Sequence, residues 1–150
     1  MKKSATIAVL IGVCLGGAAN AQGPDFADLI RGRQAGMMLS GATMGAIKVG
    51  IDNNQPLQVQ RFNTRALSRW AHAVPGMFPQ GSGPESGVQT NAKAEIWTDR
   101  AGFEARAAAY AADVDRLVEL AQGEDAAAFS AQWTQVRTNC QACHDVYKVN

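Results

Sequence analysis

The sequence predicts an all-α fold, an antiparallel up-down-up-down bundle of four helices. Four successive stretches repeat apolar residues every three or four positions, the spacing of one helix face. No stretch alternates apolar and polar residues as a half-buried strand would. Turn-rich segments separate the stretches, and connections of that kind set sequential helices antiparallel.

The chain opens with a segment that does not belong to the bundle. Lys2 and Lys3 precede an apolar run from Ile7 to Val13, and Ala19-Asn20-Ala21 supplies a small-x-small cleavage site. Residues 1–21 therefore read as a cleaved signal peptide, and residues 22–150 as one exported domain, periplasmic in location. The apolar run is too short for a membrane anchor. Cys14 lies inside that run behind Ile11-Gly12-Val13, a poor lipobox, and is expected to leave with the signal.

The first helix is expected over about 25–49, with Phe26, Ile30, Arg33, Met37, Gly41 and Met44 along one side. Gly50 and the turn-rich Asp52-Asn53-Asn54-Gln55-Pro56 mark its end. The second carries Val59, Phe62, Ala66, Trp70, Ala73 and Met77 and is closed by the loop from Pro79 to Gly87. Asp99 is a good N-cap for the third, which bears Phe103, Ala107, Tyr110, Val114, Leu117 and Ala121 and stops at Gly123. The fourth starts near Asp125, with Phe129, Trp133, Val136, Cys140, Cys143 and Tyr147 in its seam. Phe26, Phe62, Phe103, Val114, Leu117 and Trp133 are expected to be core.

Chemistry concentrates in the last helix, at Cys140-Gln141-Ala142-Cys143-His144. C-x-x-C-H is the attachment site of haem c: each thiol adds to a vinyl group as a thioether, and the adjacent imidazole binds the iron. On a helix, positions i, i+3 and i+4 share a face, so all three side chains meet one macrocycle. A zinc site needs four ligands, and only Cys14 and His72 remain to complete it. A reactive dithiol belongs at a helix N-terminus after a strand, whereas this pair ends a helical stretch. His72 reads as a surface imidazole. With 14 Lys and Arg against 13 Asp and Glu and no basic run, there is no electrostatic case for nucleic acid.

With that motif on the last of four helices, the chain resembles the cytochrome c-prime family, the class II cytochromes c of bacterial periplasms. Arg33-Gln34, Ala94-Glu95-Ile96-Trp97 and Cys140 through Tyr147 carry the resemblance, which spans the mature chain. It implies a four-helix bundle, often a homodimer, holding one covalent haem c with His144 as proximal iron ligand. It further implies that Arg33 and Gln34 lie near the haem propionates and Trp97 near the haem edge. Two positions depart from the common pattern. Lys148 stands four residues after the proximal His, where Arg is usual, and lacks the planar fork of a guanidinium. Met37 stands where high-spin members place a non-coordinating Leu or Phe, and low-spin members use a first-helix Met as sixth ligand.

The expected function is that of a periplasmic monohaem cytochrome carrying single electrons between periplasmic or membrane-bound redox proteins, and not of an enzyme. His144 and Met37 would be its iron ligands, the soft thioether favouring Fe(II). The alternative is a five-coordinate, high-spin protein that binds NO or CO, for which small residues beside Met37 leave room. A thiol-disulfide oxidoreductase using free Cys140 and Cys143 is the third reading.

Overall fold

A computed structural model describes residues 26–149; the signal segment and Cys14 lie outside the described residues. Five helices follow in order: α1 (Ala27–Asp52), α2 (Arg61–Ala73), α3 (Glu95–Thr98), α4 (Arg100–Leu120) and α5 (Ala126–Tyr147). The third is a single turn, so α1, α2, α4 and α5 form the expected four-helix bundle. Among the described residues no strand forms, and no helix is long and apolar enough to cross a membrane.

The predicted Asp99 cap is in place, and Asp125, where the last helix was expected to start, caps it in the same way. Asp99 Oδ1 accepts from Gly102 N at 3.2 Å at the start of α4, and Asp125 Oδ1 accepts from Ala128 N at 2.9 Å at the start of α5. The other oxygen of Asp99, Oδ2, accepts from Tyr147 Oη at 2.7 Å, which ties the end of α5 to the start of α4. Backbone pairing adds to this tie, with Lys93 N on Tyr147 O at 2.9 Å and Val149 N on Asn91 O at 2.8 Å. Further along, the Asp113 side chain gathers Gln132, Gln135 and Asn139, setting the height of α5 against α4 one residue before Cys140.

Around the bundle the order is α1, α2, α4, α5, with α4 packed broadly on both α2 and α5. The seam between α1 and α5 is the thinnest. The core is split into two clusters along the bundle axis. One gathers Ile47, Leu67, Val114, Leu117, Phe129 and Val136; the other gathers Val74, Phe78, Ile96, Phe103, Ala107 and Tyr147. Phe78, Phe103 and Tyr147 stack edge to face through the second, at centroid distances of 5.1 and 5.5 Å.

The second helix corrects the sequence reading. Phe62 is 78% exposed and Val59 58% exposed, so neither is core. The buried face carries Leu57, Gln60, Thr64, Leu67, Ala71 and Val74, which also repeat every three or four residues. Both faces satisfy the period; the sequence argument chose the one with larger aromatics. Small side chains at Thr64 and Ala71 are what allow α2 to lie close against α4. Phe26 is half-buried, its ring edge 3.0 Å from where a Cβ on Gly81 would stand. Gly50 likewise does not end α1, which continues to Asp52. It is buried, and a Cβ there would come within 1.8 Å of Gln60 Nε2, so the close approach of α1 to Gln60 requires glycine.

Candidate haem site

Two cavities of about 410 and 520 Å3 open in the bundle, the first between the two core clusters and the second against the cluster of Phe78, Phe103 and Tyr147. They share Met37, Val74, Cys143 and His144 as common walls. Cys140 lines the first cavity only. Cys140, Cys143 and His144 are each half-buried on the last turns of α5, and both thiols are free. The motif therefore faces a mostly apolar space, as a flat macrocycle requires.

The electrostatics of the three groups separate the chemical readings. Burial, with the neighbouring Cys143, pushes the Cys140 thiol up; burial pushes Cys143 up as well, against the opposing charge of Arg106. A reactive dithiol needs the reverse, a thiolate favoured by its surroundings, and these thiols sit at a helix C-terminus where the dipole is negative. Burial and the Lys148 charge hold the His144 imidazole below its usual value, Asp145 opposing. A neutral imidazole is the form that binds iron. Among the described residues no three His, Cys, Asp or Glu side chains converge on a metal position. His72, the other candidate zinc ligand, bonds Asp115 at 2.9 Å on the exposed α2–α4 face.

The charged side chains lining the cavities are all cations. Lys48, Arg106 and Arg137 border the first, Arg33 and Lys148 the second, and neither has a carboxylate in its wall. An apolar slot edged by cations matches haem, an apolar disc carrying two carboxylates. Along α1, a Cβ at Gly41 or Gly45 would meet nothing within 4 Å, so that wall leaves open space. The residues present fit the group.

The other predicted site residues fall as follows. Met37 is half-buried between the two cavities, so α1 brings its thioether into the same space as His144. Met38 is 77% exposed and lines the second cavity, while Met44 is buried and lines the first. Gln34 lines the second cavity and its Nε2 donates to Gln89 O at 3.0 Å. Arg33 is not a solvated surface charge: it is 2% exposed. Its Nη1 donates to Ser82 Oγ at 2.9 Å, and its Nη2 to Ser82 O at 2.8 Å and Thr90 Oγ1 at 3.0 Å. The guanidinium lies 4.6 Å from the centre of the Phe78 ring, and burial lowers its pKa. Trp97 packs beside Phe78 with its Nε1 donating to Pro79 O at 2.8 Å, and it lines neither cavity.

Sequence reasoning missed Lys48, Trp70, Tyr110, Arg106 and Arg137 as cavity wall. A signal existed for two of them. Arg137 precedes Cys140 by three positions, and Lys48 follows Met44 by four, so each extends a face already singled out.

The fold and site together define a helical-bundle protein of the covalent haem c class. Comparison with known proteins narrows this. The family described as Cytochrome C' matches residues 28–148. This chain belongs to the cytochrome c' family, and it is a haem c protein. It is 30% identical over 126 residues to the cytochrome c' of Halomonas halodenitrificans, covering 81% of this chain and 96% of that one. The crystal structure of the Rubrivivax gelatinosus cytochrome c' superposes with a TM-score of 0.75 at 28% identity, covering 85% of this chain and all of that one. A nitric oxide complex of a variant cytochrome c prime from Alcaligenes xylosoxidans shares the fold, with a TM-score of 0.76 at 22% identity over 86% of this chain and 99% of that one.

Proposed function

We propose that this chain is a periplasmic monohaem cytochrome c' whose haem binds a diatomic ligand, NO or CO, on the face opposite His144. Cys140 and Cys143 fix the macrocycle through thioethers, and His144 holds the iron from the α5 side. The bound haem supplies an open iron coordination position. The observation that carries the reading is the α1 wall of the cavity that also reaches His144, where Gly41 and Gly45 present no side chain. The walls of that space are mostly apolar, with the half-buried Met37 among them. Variants of one protein of the same fold, the cytochrome c prime of Alcaligenes xylosoxidans, have been solved as nitric oxide and carbon monoxide complexes. No bond of a substrate is made or broken in this role, and the protein is a binder rather than an enzyme.

A second reading rests on a specific observation. Met37 lines both cavities together with His144, a position from which its thioether would be the sixth ligand of a low-spin electron carrier. Titration of the reduced protein with carbon monoxide separates the two. An open site binds it directly in the wild type, and Met37→Leu changes little. A Met37-ligated site resists carbon monoxide until Met37→Leu frees the iron.

The same reading includes a homodimer. Met38 and Leu39 on α1, with Val59 in the turn before α2 and Phe62 at its start, are large apolar residues left exposed. Residues of that size on adjacent helices are suited to cover a second copy.

A further inference from the structure

The walls of the first cavity are mostly apolar, and most of its polar groups already have partners. Ser40 Oγ donates to Met37 O at 2.8 Å, Trp133 Nε1 to Met44 O at 3.0 Å, and the Asn139 amide to Asp113. Cys140, Cys143 and His144 are taken by the haem. The cations stand at the edge, Arg106 and Arg137 exposed and Lys48 paired with Asp52. Two neutral donors remain in the wall, the indole of Trp70 and the hydroxyl of Tyr110.

The two differ in what they can reach. Trp70 Nε1 is enclosed by protein and has no partner. The opposite edge of its ring is wedged against α1, where a Cβ on Gly36 would lie 2.2 Å from Trp70 Cζ3. An indole held there keeps its N–H inside the packing. Tyr110 is half-buried, and its ring packs against both core clusters, which fixes its direction. Its hydroxyl is not enclosed and, among the described residues, bonds to no other group. Burial, with the charge of Cys140 adding to it, raises the Tyr110 pKa, so the hydroxyl stays a protonated donor.

A hydroxyl in an apolar wall costs stability unless something in the cavity accepts its bond. The haem carboxylates are poorly placed to do so. Cysteines join a haem through vinyl groups on the edge opposite its two carboxylates, and Tyr110 lies within electrostatic reach of Cys140. The acceptor left is a ligand on the iron. We propose that Tyr110 is a specificity-determining residue of this site, its hydroxyl donating a hydrogen bond to the iron-bound ligand, so that ligands bearing negative charge when bound are favoured over carbon monoxide. A fixed donor in a low-dielectric cavity acts strongly on charge and weakly on a nearly neutral ligand. This rests on the ligand-binding role proposed above and adds which ligands the site prefers.

The test uses the haem-loaded protein with fluoride on the oxidised form and carbon monoxide on the reduced form. Tyr110→Phe removes the hydroxyl and keeps the ring that packs on both clusters. Fluoride affinity should fall about tenfold, while carbon monoxide affinity stays within about twofold. Electron–nuclear double resonance of the fluoride complex should show an exchangeable proton coupled to the ligand, lost in Tyr110→Phe and kept in Ser40→Ala. Unchanged fluoride affinity, or an equal loss for both ligands, would overturn the proposal, as would a proton lost only in Ser40→Ala. A wild type that binds neither ligand would count against the open iron site and not against Tyr110. The same comparison is then made in Met37→Leu, with and without Tyr110→Phe, and is judged by the same outcomes. Failure of that background to bind either ligand would overturn the role of Tyr110 as well.

Discussion

Replacing Arg33 by Met removes a buried charge while keeping a long, flexible stem. The guanidinium makes three contacts of 3.0 Å or less, to Ser82 Oγ, Ser82 O and Thr90 Oγ1. Hydrogen bonds from a charged donor contribute about 1.5–3 kcal/mol each, and the stranded Ser82 carbonyl adds a penalty of similar size. Against this stands relief from burying a cation, which the lowered pKa of Arg33 makes visible. Ser82 Oγ also keeps a bond of its own to Pro79 O at 2.8 Å, so its loss is partial. The balance is about 3 kcal/mol of destabilisation, a fall of about 10 °C in Tm for a domain of this size. Urea unfolding of the haem-loaded protein, followed by far-ultraviolet circular dichroism, measures it. The visible spectrum should be unchanged, because the contacts seen are to the loop after α2. A variant within about 0.5 kcal/mol of wild type, the scale of an ordinary surface change, but with a displaced haem spectrum or potential would refute this account. Arg33 would then be a propionate ligand and not a clamp.

Phe129→Ala, at a fully buried ring, should cost about 3–5 kcal/mol in urea unfolding with the haem spectrum retained. Phe62→Ser should leave monomer stability within about 0.5 kcal/mol and dissociate the dimer in analytical ultracentrifugation; an unchanged dimer mass would show that another face joins the copies. Tyr147→Phe removes the bond to Asp99 and should lower stability by about 1 kcal/mol, read from the thermal transition. Burial raises the Asp115 pKa, but bonds from Ser68 and His72 and the His72 charge outweigh it, leaving the group below its ordinary value. A carboxylate depressed in the folded state stabilises above its unfolded pKa, and this contribution is lost as pH falls through the folded value. Asp115→Asn should therefore narrow the gap between urea midpoints at neutral and acid pH; an identical gap would contradict the assignment.

Three of the four helix faces were legible because each carried one apolar stripe without a rival. In α4 the seam from Phe103 to Ala121 is the buried face. In α2 two stripes share one period, and only the partner surface on α4 decides between Phe62 and Thr64. The motif at Cys140, Cys143 and His144 was legible from spacing alone, since the chemistry needs one helical face. Arg33 was visible as a residue but not in its contacts. Its partners Ser82 and Thr90 lie 49 and 57 positions away, in a loop whose path follows from tertiary packing. The cavity wall is similar: Lys48, Arg106 and Arg137 line one space only when α1, α4 and α5 are assembled.

The coordination number of the iron bears most directly on the function proposed. Electron paramagnetic resonance of the oxidised wild type, as isolated, reads it without any added ligand. An open position opposite His144 predicts the axial high-spin signal of five-coordinate ferric haem, present in the wild type and unaltered by Met37→Leu. A rhombic low-spin signal that turns high-spin in Met37→Leu would contradict it and assign Met37 to the iron.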